Sequence, residues 1–134
     1  MGDRCYMQIT CRRQDISEFE ALGFHFEFEQ TADSPIVELI DEEANYAHAD
    51  QLPTEVPFLA SHGAGGNYGD GKIACDGNRY AEVGATSDGF VVAWDEQTNA
   101  PSQQSLDNIR HYFAVHATVQ EMFQQLSATA THHA

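Results

Sequence analysis

Lysine is almost missing from this chain. Lys72 is the single one in 134 residues, and six Lys and Arg in all face 21 Asp and Glu, a formal net charge of −15. Such a polyanion is repelled by nucleic acid and by anionic membrane, so direct binding of either is not expected. Long apolar runs are missing as well: none approaches the ~18 residues of a membrane span. The polar start Met1-Gly2-Asp3-Arg4 does not read as a targeting segment, and a cytoplasmic location is expected. Cysteine is scarce, with Cys5, Cys11 and Cys75 leaving one odd thiol. Cys5 and Cys11 on an extended strand would stand ~20 Å apart, beyond disulfide reach, so the thiols are read as reduced. There is no internal repeat. The length suits one domain with a real core, taken as residues 1–128, with residues 129–134 a frayed tail.

The periodicities that are present predict an α+β fold. Cys5, Met7, Ile9 and Cys11 alternate with polar neighbours as in a strand with one buried face. Asp15 with Glu18 three residues later reads as a helix start, and Gly23 as its stop. Phe24, Phe26 and Phe28 alternate with His25, Glu27 and Glu29, predicting a strand whose antiparallel neighbour is Ile36 to Ile40. The run Asp41 to Ala47 suits the start of a short helix, since carboxylates sit well at a helix's positive end, while Pro53 and Pro57 exclude a long one. Asp76-Gly77 and Asp88-Gly89 are hairpin signals joining strands near 72–75, 79–83 and 90–95. A helix is predicted over about Ser102 to Ser127, with Ile109, Phe113, His116, Gln120 and Phe123 along one stripe. The expected architecture is an antiparallel-rich sheet with a short N-terminal helix and a long C-terminal helix packed on one face.

Glycine is concentrated rather than rare: Gly63, Gly65, Gly66, Gly69, Gly71 and Gly77 are six of the ten. Gly66 to Lys72 has the spacing of a phosphate-binding loop, but Ile73 replaces the hydroxyl residue that holds magnesium. The loop also leads into a strand rather than a helix N-terminus, and Asp70 repels phosphate, so a glycine-rich surface loop without a nucleotide is expected.

Charge of one sign runs unrelieved from Gln14 to Gly71, a span without Lys or Arg. Self-repulsion of this kind destabilises the compact state, which asks for a reason. Solubility or adaptation to salt is the plain one. A basic partner is the sharper one, with Glu27, Glu29, Glu38, Asp41, Glu42, Glu43, Asp50, Glu55 and Asp70 as the contact set. Glu27 and Glu29 on one strand face would lie ~6–7 Å apart, the order of phosphate spacing along a nucleic-acid strand. In size and charge, though in no motif, the chain resembles the small acidic inhibitors made by phages and other mobile elements, including some anti-CRISPR and anti-restriction proteins. That resemblance implies a non-enzymatic module occupying the basic nucleic-acid-binding surface of a protein or nucleoprotein complex, without a cofactor.

The alternative is a small enzyme or ligand-binding domain centred on the glycine-rich loop, with His62 and Tyr68 as its polar pair. Cys75, beside Asp76 in an acidic chain, is better read as a core thiol than as a nucleophile. His111 and His116, five apart on a helix, point ~140° from each other and cannot share a metal. His48 and Asp50 near Glu42 and Glu43 show no ligand spacing, and His132-His133 ends the tail, so no metal site is predicted.

Overall fold

The computed structural model describes residues 4–27, 34–48, 50–63, 70–86 and 89–132. Its first strand, β1 (Arg4–Arg12), follows the predicted alternation, burying Cys5, Met7, Ile9 and Cys11 completely or nearly so. A 3-10 turn at Arg13–Asp15 leads into α1 (Ile16–Glu20). Asp15 does not cap this helix with its side chain, as the sequence suggested. Its carboxylate instead takes the Arg12 guanidinium, Nε to Oδ2 at 2.6 Å, because a buried carboxylate gains more from a cation than from one amide. Gly23 ends the turn as expected, at φ +113°.

The predicted strand at Phe24–Phe28 does not form among the described residues. His25 alone bridges Ile40, through backbone bonds of 2.9 and 2.8 Å, and Phe28 lies outside the description. Phe24 is buried against Phe19, but Phe26 is 36% exposed. The intended partner has gone elsewhere: β2 (Ile36–Asn45) pairs along β1, a longer ladder than the aromatic stretch offers. β2 also absorbs the acidic run read as a helix start. Between Cys5 and Met7 the register slips, so that Glu42 and Glu43 together oppose Tyr6 in a β-bulge. The chain leaves β2 through a 3-10 turn at Tyr46–His48, where Ala47 and His48 both hold φ 54°.

β3 (Pro57–His62), β4 (Gly71–Asp76), β5 (Tyr80–Thr86) and β6 (Gly89–Phe90) complete a six-stranded antiparallel sheet of order β2-β1-β3-β4-β5-β6. Both hairpin signals hold. The expected strand at 90–95 stops after Phe90, however, and Trp94 starts a separate hairpin of β7 (Trp94–Asp95) with β8 (Ala100–Pro101). Val92 and Trp94 are exposed, while Phe90 is half-buried. α2 (Gln103–His132) continues past the expected end at Ser127. Its buried line is Tyr112, Val115, Val119 and Phe123, while Phe113 is half exposed and Gln120 exposed. The stripe is rotated from the predicted one because the sheet offers a shallow seat of Ala74, Ala81 and Val83, which the slim Val115 and Val119 fit.

The expected α+β architecture, an antiparallel sheet with a long C-terminal helix against it, is the observed one. Apolar side chains gather in two clusters on opposite faces of the sheet. One joins the odd residues of β1 to Phe19, Phe24, Val37, Leu39, Phe58, Ile73 and Cys75, with α1 above it. The other lies under α2. The central strands β3 and β4 serve both.

Candidate functional site

Of the nine carboxylates proposed as a contact set, Glu27, Glu38, Glu42, Glu43, Asp50, Glu55 and Asp70 are exposed and Asp41 is half-buried. Glu29 lies outside the described residues. The bulge and the edge position of β2 bring part of this set together. Tyr6 is 44% exposed at the bulge. Its phenol is pushed above the ordinary tyrosine range, first by desolvation and then by the charges of Glu27, Glu42 and Glu38. Glu27 and two carboxylates of β2, Glu42 at the bulge and Glu38 further along the strand, thus act on one aromatic ring, with exposed Phe26 in the same stretch as Glu27. His25 Nε2 lies 3.4 Å from Glu42 Oε1. Glu55 and Asp70 sit apart from this patch: Glu55 lines a separate cleft with Glu18 and Pro53 on the approach to β3, and Asp70 precedes β4.

His62, proposed at the mouth of the glycine loop, is the last residue of β3 and is buried in the sheet. Its side chain is 3% exposed, paired across the ladder with Gly71, and its Nε2 is 3.9 Å from Glu82 Oε1. The ring fills the space above Gly71: a Cβ there would stand 2.5 Å from Nε2. That is one structural use of a loop glycine. Tyr68, the other half of the pair, lies outside the described residues. Cys75 is four register steps along β4 from the His62 contact, opposite Phe58, so the two are ~13 Å apart along the strand. Its thiol donates to the Thr54 carbonyl at 3.4 Å and is pushed up by burial, which keeps it protonated.

A pair with no signature in the sequence joins β2 to the turn that follows it. His48 Nε2 lies 2.6 Å from Asp41 Oδ2, with the two side chains 9% and 16% exposed. The imidazole leans on the Phe24 ring, centroids 5.2 Å apart, and Asp41 Oδ1 also accepts the Glu43 amide at 3.0 Å. A carboxylate that orients a histidine is one part of a general-base arrangement. The neighbouring thiol, Cys5, is buried, donates to the Ala44 carbonyl and has its pKa raised, first by burial and further by Asp41. The pair therefore holds a left-handed turn in place and activates no described nucleophile.

Comparison with known protein families, with characterised proteins and with solved structures finds no match to this chain.

Among the described residues no group of three or more His, Cys, Asp or Glu is placed to hold a metal ion. No helix among them is long and apolar enough to cross a membrane. What remains chemically distinctive is the acidic patch around Tyr6, an aromatic group rimmed by charge of one sign.

Proposed function

We propose that the protein acts by binding, and that the acidic patch at the β1–β2 edge docks on a basic surface of a partner protein or nucleoprotein complex. The observation that carries this reading is the exposed ring of Tyr6, set opposite Glu42 and Glu43 by the bulge and lying in the combined field of Glu27, Glu42 and Glu38. Aromatic anchors inside a polar rim are typical of protein interfaces. The absence of Lys and Arg from residues 14–71 leaves β2 without a basic residue of its own. Carboxylates on an edge strand also discourage strand addition, so recognition runs through side chains. If the basic surface normally holds nucleic acid, occupying it makes the protein an inhibitor.

Complementary charge acts mainly on the association rate, and that gain fades with salt. The test is to isolate a partner from the native host or from a host that a mobile element would infect, then compare association rates for the wild type and the triple variant Glu27→Gln, Glu38→Gln, Glu42→Gln. The variant should associate about 10-fold or more slowly at low salt and show a flatter salt dependence, with folding intact or improved. Equal rates for both proteins at low and high salt refute the reading and leave the acidic segment a solvated surface.

A further inference from the structure

On the α2 face of the sheet, beside the apolar seat of the helix and sharing Leu59 and Tyr112 with it, a cleft of about 210 Å³ opens between α2 and strands β1, β3 and β4. Its floor is a cross-strand row, Gln8 beside Ser61 beside Lys72, in register on three neighbouring strands. Neighbours in such a row stand ~4.8 Å apart. Thr10 extends the floor, and Tyr112 and His116 hang over it from α2. Every one of these six side chains carries a hydrogen-bond donor or, for the histidine, a ring nitrogen that becomes one. Among the described residues none of them makes a side-chain hydrogen bond or ion pair.

That is an odd place for the chain's single lysine. With 21 carboxylates in the sequence, none of the described ones reaches its ammonium, which lies instead 5.9 Å from the centre of the Phe90 ring. Burial and then the Lys72 charge hold the His116 imidazole below its ordinary range. The Lys72 ammonium and a His116 imidazole that favours its neutral form, still able to donate through one ring N–H, therefore face the same space without a carboxylate between them. A donor-rich, acid-free cleft inside an otherwise acidic protein selects for a ligand rich in acceptors and negative in charge.

We propose that this cleft binds a small oxyanion, a carboxylate or a phosphate, between Lys72 and His116 over the Gln8–Ser61 floor. The cleft is open to solvent, and its volume, equal to about seven waters, suits a small anion or the anionic end of a larger molecule. This site is independent of the acidic patch: its residues are not among those altered to test partner binding.

The experiment follows the His116 ring and Lys72 amide by NMR while sodium acetate or inorganic phosphate replaces chloride at constant ionic strength. A saturable shift with half-saturation of roughly 1–10 mM is expected for so small a ligand. Response to acetate alone assigns a carboxylate, and to phosphate alone a phosphate. Lys72→Gln should weaken the effect about 10-fold or more, by removing a charge-assisted bond. Ser61→Ala, an exposed change, should weaken it less and serves if the lysine variant does not fold. The exposed His111 is the internal control and should not saturate. A linear drift to ~100 mM with both anions, or an undiminished shift in both variants, overturns the proposal.

Discussion

Replacing Gly71 by alanine should destabilise the protein, although glycine to alanine in a strand ordinarily does the reverse. Alanine reduces the freedom of the unfolded chain, a gain of about 0.5–1 kcal/mol. Against it stands geometry: the new methyl would lie 2.5 Å from His62 Nε2, 2.7 Å from Cε1 and 3.1 Å from the Val83 carbonyl oxygen. The imidazole has nowhere easy to go, since its side chain is 3% exposed. Forcing a methyl into a filled site costs about 1–3 kcal/mol, so a net loss of about 1–2 kcal/mol is expected. For a chain of this size that lowers the melting temperature by roughly 3–5 °C per kcal/mol. The discriminating measurement is a double-mutant cycle in urea, monitored by circular dichroism. With His62→Ala in place the imidazole contacts are gone and only the 3.1 Å approach to the Val83 carbonyl remains, so Gly71→Ala should lose most of its cost. The coupling between the two positions is then about 1–2 kcal/mol. Equal destabilisation in both backgrounds would show that the backbone at Gly71, not the histidine above it, needs the glycine.

Two further outcomes concern protonation. Burial, and then the charge of Asp15, pushes the Cys11 thiol up to about 12, and burial raises Cys5 and Cys75 too. All three should resist a disulfide reagent at pH 8 in the folded protein and react fully in denaturant; fast labelling of the native protein contradicts the packing. Because the folded Cys11 value lies above the unfolded one, its contribution is complete below pH 9.0 and lost as pH rises through about 12, so Cys11→Ala should flatten that alkaline limb. Asp76 behaves oppositely. Desolvation acts upward on it, but the amides of Arg79 and Asn78 and the Arg79 guanidinium together outweigh that and hold it below 3.8. Its contribution is present above that pH and disappears on acidification through the folded value. Asp76→Asn should cost about 1 kcal/mol near neutrality and shallow the acid unfolding curve; an unchanged curve would refute the assignment.

The sequence was legible where one face of an element is buried and the other is not. β1 and the hairpins at Gly77 and Gly89 are of that kind. β3 was not read as a strand although it alternates, with Phe58, Ala60 and His62 buried and Ser61 exposed, because a proline opens it and a small and a titratable residue stand where bulky apolar ones are expected. The Phe24–Phe28 alternation misled because periodicity says which residues could share a face, not which partner wins. Here β1 took β2, and the aromatic stretch kept one bridge and one buried ring. At the candidate site, the sequence supplied the acidic set but not its focus. Tyr6 becomes the centre through a bulge that places two residues opposite one, and a register slip leaves no mark in composition. The Asp41–His48 pair depends on two non-glycine residues at positive φ, which spacing rules do not anticipate.

The ladder between β1 and β3 joins two parts of unequal self-sufficiency. On the C-terminal side, β3 to β6 follow one another in order, and α2 folds back over β4 and β5 to close a cluster drawn mostly from that segment. The N-terminal segment supplies eleven of the fifteen buried residues of the other cluster, and Phe58, Ala60, Ile73 and Cys75 complete it from the other side of the ladder. That wall is made only when β3 and β4 are in place, whereas the cluster under α2 needs no buried residue from before β3. During synthesis the acidic segment emerges ahead of its wall, and its mutual repulsion opposes collapse and association in that interval.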